Sequence, residues 1–280
     1  MADAPKIRTV VIPAAGLGTH WLPQTWVTPK ELLPIVDRPL LHWVVQGALA
    51  AGLTRVVLVI APGKEAVAQY FNRPADLEAR LRSQGRSELL DSLLDLQARV
   101  EVLTAVQEKP LGLGHAVLQA RALVGNEPFG VLLPDELFEG EHPLVALVKN
   151  MPDERTAMLA VREVPLEETS KYGIVAGKEE GGLLRVERAV EKPRVADAPS
   201  RLAIVGRYIL PADTFEILKN LKPGANGEVQ LTDAISRLAA QGRVAAVRVE
   251  GLRFDTGRPE GWLAANLHFA RKMGRLPPAS

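Results

Sequence analysis

At 280 residues, with 47% hydrophobic and 24% charged side chains, the chain can bury a sizeable core as one large domain or one domain with an appendage. A formal net charge of +1 gives no global field that would recruit nucleic acid or an anionic membrane. The absence of cysteine excludes disulfides, thiolate metal sites and thiol nucleophiles, and it suits a cytoplasmic protein.

Residues 1–8 (MADAPKIR) lack the apolar core of a signal peptide, and no apolar run approaches the ~20 residues needed to span a bilayer. Strand patterns at Ile7–Pro13, Arg55–Ala61, Val100–Gln107 and Phe129–Pro134 alternate with helical patterns at Leu40–Ala51, Lys64–Phe71 and His115–Leu123. That alternation predicts an α/β fold: a mainly parallel sheet with helices on both faces, which binds ligands beyond the carboxyl ends of its strands. Residues 75–98 interrupt the rhythm with leucines at helical spacing among mixed charges, a solvated helical excursion. Beyond Lys149 the texture becomes β-rich. Strand-like runs lie at Thr156–Val161, Tyr172–Ala176, Leu183–Val190 and Ala203–Ile209, with a turn signal at Glu180-Gly181-Gly182. Helical segments Glu228–Ala240 and Glu260–Lys272 enclose a strand at Val244–Glu250. With no linker, heptads or repeat, one domain with embellishments is expected.

The most informative segment is Gly16–Pro34, GLGTHWLPQTWVTPKELLP, directly after the apolar run Thr9–Ile12. Gly16 and Gly18 let backbone N–H groups approach a phosphate or base without a Cβ in the way, and Lys30 can reach the same phosphates as a point charge. A dinucleotide fingerprint fails, since its third glycine would fall at Trp21 with Pro23 after it. A P-loop fails for want of Gly-Lys-Ser/Thr. Two aspartates come after strand-like runs: Asp135 after Val131–Pro134, and Asp255 in Arg253–Gly257. Each alone reads rather as a turn or cap residue; converging beside the loop they would suit Mg²⁺. Gln107 at a strand end and Gly112-Leu113-Gly114-His115 at a helix start offer an amide and exposed N–H groups to the edge of a pyrimidine. Glu191-Lys192-Pro193 pairs a carboxylate for sugar hydroxyls with an ammonium for a phosphate.

In this order the motifs resemble the bacterial UTP–glucose-1-phosphate uridylyltransferases, a family of sugar nucleotidyltransferases. The residues that carry the resemblance are Gly16–Pro34, Tyr70–Leu94, Gln107–Val117, Leu133–Asp135, Tyr172-Gly173, Glu191–Pro193, Leu202–Leu210, Gly227–Ala234 and Phe254–Gly257, together spanning about Arg8 to Leu267. The insertion at 75–98 favours UDP-glucose over dTDP-sugars. The resemblance implies a Rossmann-like, nucleotide-diphospho-sugar transferase fold, a mixed, mainly parallel sheet flanked by helices with β-rich additions, with a nucleotide-binding half over about 7–140 and a sugar-binding half over about 150–270. It implies that Ala14, Ala15, Gly16, Gly18, Glu31, Gln107 and Gly114 hold the nucleotide. Lys30 would neutralise the triphosphate, Asp135 and Asp255 would hold Mg²⁺, Gly173 and Glu191 would bind glucose, and Lys192 the sugar phosphate. UTP, glucose 1-phosphate and UDP-glucose are the implied ligands. A homo-oligomer, dimer or tetramer, is implied too, with the Leu40–Ala51 and terminal helices as candidate contacts.

Two positions depart from the family pattern: His20 stands where an arginine would clamp the β- and γ-phosphates, and Trp26 where a second cation is usual. His20 is then the surrogate cation of a working or slowed enzyme. The alternative is a catalytically weak relative that binds UDP-glucose and regulates a catalytic homologue. Packing is a further reading of Trp21 and Trp26, which would fix the loop against the body with His20 at the surface.

Overall fold

The computed structural model describes residues 7–224 and 227–277, so most of the N-terminal segment 1–8 lies outside the described residues. A nine-stranded sheet runs in the spatial order Glu101–Val106, Arg55–Ile60, Thr9–Pro13, Phe129–Leu132, Leu202–Leu210, Ala157–Glu163, Val244–Arg248, Leu183–Glu191 and Gly173–Glu180. The first four strands are mutually parallel. Their unbroken apolar runs are explained by burial on both faces: Val11, Val57 and Val59 enter one core, and Val10, Ile12, Val56 and Leu58 the other.

The expectation of a mainly parallel sheet does not hold for the whole. Four strand pairings are parallel and five antiparallel, so the sheet is mixed, as expected, but mostly antiparallel. The reversal begins at Leu202–Leu210, which runs antiparallel to both Phe129–Leu132 and Ala157–Glu163. It continues in the hairpin Gly173–Glu180/Leu183–Glu191, whose tip Gly181-Gly182 has φ of 60 and 84°, the sign that two-residue hairpin turns require.

Helix limits also shift. Lys64–Phe71 shortens to Glu65–Gln69, and His115–Leu123 resolves into Leu113–Gln119 and then Arg121–Val124. The excursion consists of the helices Ala75–Ser83 and Asp91–Arg99 joined by a single 3₁₀ turn. Helix Pro143–Asn150 and the ribbon Glu136–Phe138/Arg253–Asp255 were not anticipated. Helix Leu40–Ala50 buries Leu40, Leu41, Val44, Val45 and Ala48 inside the subunit, which removes that apolar face as a contact between copies.

Two buried histidines make the fold acid-sensitive. His142 begins helix Pro143–Asn150; burial and then the Arg207 guanidinium hold its pKa down to about 2. Burial holds the pKa of His42, whose Nδ1 meets the Tyr70 hydroxyl at 2.9 Å, down to about 4. Both values lie below the unfolded value of about 6.5. The unfolded chain therefore binds protons that the folded chain refuses. Each histidine's contribution to stability is intact above pH 6.5 and is lost as pH drops below it, by about 2 kcal/mol between pH 6.5 and 5. Urea unfolding across that range should show His42→Leu losing about 2 kcal/mol less than wild type as pH drops from 6.5 to 5; an unchanged dependence on pH would contradict the assignment.

Candidate active site

The four parallel strands each end at the same edge, and each hands the chain to a site segment. Thr9–Pro13 leads into Ala14–Gly18, Arg55–Ile60 into Gly63-Lys64, Glu101–Val106 into Gln107, and Phe129–Leu132 into Pro134-Asp135. This is where ligands bind in open α/β sheets. A cavity of ≈ 580 Å³ lies there, lined by Ala15, Gly16, Gly18, Lys30, Gln107, Asp135 and Asp255 towards one end and by Gly173, Glu191 and Lys192 towards the other. The volume is in the range of small-molecule sites.

At one end, Lys30 Nζ meets Asp135 Oδ2 at 2.6 Å. Burial opposes both charges, but each is held by the other. Asp135 stays below the usual carboxyl range because the ammonium outweighs burial. Lys30 stays above its usual value because Asp135, with Glu31 and Asp255, outweighs burial. Lys30 is thus a permanent cation aimed into the cavity.

Asp255 lies on the ribbon strand paired with Glu136–Phe138, which begins one residue after Asp135. Thr256 ties the two aspartate segments together, donating its N–H (2.8 Å) and its hydroxyl (2.9 Å) to the Asp135 carbonyl. The bare Cα of Gly257 leaves open the space between the carboxylates. A Cβ there would stand 3.0 Å from Asp255 Oδ1 and 3.4 Å from Asp135 Oδ2. Two facing carboxylates around a small open space fit Mg²⁺, which binds through one or two carboxylates and fills its shell with phosphate and water. Among the described residues no group of three or more acidic or histidine side chains converges, so the protein would supply these two alone. Asp255 Oδ1 also accepts the Gly257 N–H at 3.0 Å, so its reading as a turn residue holds as well.

Beneath this end lies a buried cationic frame that no sequence motif marked. Arg207, 1% exposed, donates to the carbonyls of Leu133 (2.9 Å), Gly206 (3.0 Å) and Glu136, fixing the backbone that carries Asp135. Burial lowers its pKa to about 10, against the pull of Glu136 and Asp135. Arg253 pairs with Glu136 through Nε at 2.6 Å and through a second nitrogen, and lies 5.0 Å over the Tyr172 ring. Even so, burial pushes the Glu136 carboxyl up to about 7.

At the other end, Glu191 Oε2 accepts the Thr232 hydroxyl at 2.5 Å. A Cβ on residue 173 would stand 2.9 Å from Thr232 Oγ1 and 3.2 Å from Glu191 Oε2, so glycine keeps that carboxylate edge open. Lys192 holds a left-handed φ of 41°, rare for a residue with a side chain, and its N–H bonds the Tyr172 carbonyl at 3.0 Å. Its ammonium lies 3.8 Å from Glu191 Oε1 and is largely exposed. Tyr208 also lines the cavity, its phenol pKa raised by burial and then by Glu191.

Four expected site residues stand off the cavity lining. Ala14 is buried beneath the glycine loop. Glu31 is fully buried and pairs with Lys64 at 2.7 Å. Lys64 in turn donates to the carbonyls of Ala14 (2.5 Å) and Gly16 (3.1 Å) and so pins the loop from below. Lys64 comes after a parallel strand as Asp135 does, and the same strand-end rule would have found it. Gly114 packs against Val229, its N–H bonding that carbonyl at 2.8 Å. His20 is exposed on the single turn Thr19–Trp21. Trp21 follows the packing reading, edge-to-face on Trp262 with centroids 5.7 Å apart, and donates to the Thr256 carbonyl at 3.2 Å. Trp26 does not pack: it is 84% exposed.

The chain belongs to the nucleotidyl transferase family, whose sequence profile matches residues 9–272. It is 44% identical over 274 residues (95% of this chain and 91% of the relative) to a UTP–glucose-1-phosphate uridylyltransferase of Streptococcus pneumoniae. Among solved structures it is similar to a UDP-glucose pyrophosphorylase complexed with UDP-glucose, with TM-score 0.87 and 38% identity, covering 95% of this chain and all (100%) of that one. It is similar too to the UTP-bound UGPase from Acinetobacter baumannii, with TM-score 0.86 and 39% identity, covering 95% and 94%. Among the described residues no helix is long and apolar enough to cross a membrane.

Proposed function

We propose that the chain is a UTP–glucose-1-phosphate uridylyltransferase (EC 2.7.7.9), joining UTP and glucose 1-phosphate into UDP-glucose and pyrophosphate. One observation carries the reading: a single cavity has Lys30, Asp135 and Asp255 at one end and Gly173, Glu191 and Lys192 at the other. The likeness to relatives described as UDP-glucose-complexed and UTP-bound supports it.

In this reading residues 7–140 hold the nucleotide and 150–270 the sugar, within one domain. Ala15, Gly16, Gly18 and Gln107 line the nucleotide end; Glu31 and Ala14 act from beneath through Lys64 and the loop. An oxygen of glucose 1-phosphate attacks the α-phosphorus of UTP in line, the new P–O bond forming as the bond to the β-phosphate breaks and pyrophosphate leaves. No general base is needed, because a phosphate monoester with a second pKa of about 6 is largely dianionic at pH 7. Catalysis rests on alignment and on charge neutralisation. Mg²⁺, held by Asp135 and Asp255, would neutralise phosphate charge. Lys30 supplies a fixed cation to the triphosphate, Lys192 meets the sugar phosphate at the mouth, and Glu191 accepts from glucose hydroxyls. His20, exposed on the turn that follows the loop, is a basic group for the leaving phosphates.

The cysteine-free chain is read as cytoplasmic, and Leu263 and Leu267, 53% and 39% exposed on helix Pro259–Lys272, support a homo-oligomer. A second reading, a catalytically weak UDP-glucose binder that regulates a homologue, draws on the exposed His20 and Trp26. Thermal melting separates the substrate class. At about 100 times its Kd, UDP-glucose should add about 2.7 kcal/mol, more than dTDP-glucose or UDP-galactose at the same concentration. Equal or greater stabilisation by dTDP-glucose would overturn the uridylyl assignment.

A further inference from the structure

We propose that His115 is a positioning residue for base selection, locking the Gln107 amide so that its carbonyl oxygen alone faces the base. The inference rests on the uridylyltransferase reading and names what chooses the base within it.

Gln107 is 5% exposed, at the end of strand Glu101–Val106 on the nucleotide side of the cavity. One terminal atom of its amide meets two partners: the Gly112 carbonyl at 3.1 Å and His115 Nδ1 at 2.9 Å. A backbone carbonyl only accepts, so this atom is the NH₂, whichever way the amide is drawn. Its two hydrogens are then both spoken for, and His115 Nδ1 must be the unprotonated, accepting nitrogen. With Nδ1 accepting, Nε2 carries the ring hydrogen; the half-buried Gln119 amide beside it at 3.2 Å turns its oxygen to accept that N–H, in place of the contact from its NH₂ to the His115 carbonyl at 3.1 Å. Gly112 cannot shift to release its share: at φ 95° its Cα already sits so close that a Cβ would stand 2.7 Å from the Val229 carbonyl.

What remains is Gln107 Oε1. Among the described residues it has no protein donor, and it is not sealed off from solvent. An oxygen there accepts from the N3–H of uracil or thymine. Cytosine presents a lone pair at N3, which leaves both oxygen and ring nitrogen without a proton between them. A free glutamine would turn over and donate to cytosine instead. His115 is what forbids the turn, with Gly112.

The test is the ratio of Kd values for UTP and CTP, read by calorimetry on the full chain, which does not depend on turnover. Wild type should prefer UTP. His115→Phe keeps the ring and removes the acceptor, and should cut the preference by about 10-fold or more, chiefly by admitting CTP. His115→Asn, whose amide oxygen can take the place of Nδ1, should restore it. A His115→Phe protein with a normal melting transition and an unchanged ratio would overturn the proposal, as would a wild type that binds CTP as tightly as UTP. His115→Leu carries the same expectation should the phenylalanine variant fail to fold. The uridylyltransferase reading is decided separately, by turnover.

Discussion

Lys30→Met lowers kcat with UTP and glucose 1-phosphate by about 10²–10³-fold, the usual cost of removing one preorganised stabiliser of transition-state charge. The reason is the geometry around Asp135. The ammonium is held 2.6 Å from a carboxylate that is itself a candidate cation ligand, so it is already oriented and desolvated before substrate arrives. When phosphate oxygens enter, Lys30 exchanges one anionic partner for another within the same space and needs no reorganisation. Lys30→Arg should rescue only partly, because a planar fork replaces a compact point charge. The fold should survive, since Asp135 loses its partner at a cavity wall that water reaches. Steady-state kinetics with a melting curve on each variant checks this. A kcat within 5-fold of wild type would remove Lys30 from the phosphate site.

Arg253→Met should cost about 3–5 kcal/mol of folding stability, as breaking one partner of a buried ion pair does. The side chains of Arg253 and Glu136 are 10% and 9% exposed. With Arg253 present, burial already lifts the Glu136 carboxyl to about 7, and Asp255 and Asp135 add to the rise. Without it, a carboxyl would be left buried near two aspartates with only the pull of Arg207, whose donors are held by backbone carbonyls, against them. The double variant Glu136→Gln/Arg253→Met should recover part of the loss, because no unpaired charge remains. Urea denaturation of the three proteins measures this. A loss under 1 kcal/mol in the single variant would mean the pair is not buried as described. Activity should fall as well, since Asp255 is two residues along the same strand.

Much of the nucleotide end was legible because a parallel strand buried on both faces shows as a continuous apolar run. The residues just past such a run lie at the ligand edge, and that rule alone located Gly16, Gln107 and Asp135. The second half was less legible. Alternation along Leu183–Glu191 tells which residues face inward but carries no sign of strand direction, and it went unforeseen that antiparallel pairings would outnumber parallel ones. Arg207 was hidden inside the run LAIVGRYIL. Its burial is made possible by the carbonyls of Leu133 and Glu136, some seventy residues earlier, which no local pattern reveals. Glu31 was placed at the nucleotide by motif position, whereas its partner Lys64 decides where it points. Packing, the further reading of Trp26, fails: the ring is 84% exposed and leaves the loop's outer surface apolar beside Leu22 and Val27.

The most direct measurement of the account is pyrophosphate release from UTP, glucose 1-phosphate and Mg²⁺, with dTTP in parallel. Sustained UTP-dependent release, slower with dTTP and abolished by chelation, is the expected result, and it would show that an exposed His20 and Trp26 are tolerated in a working enzyme. Release at background, with UDP-glucose still raising the melting temperature, would contradict it and leave a UDP-glucose-binding regulator.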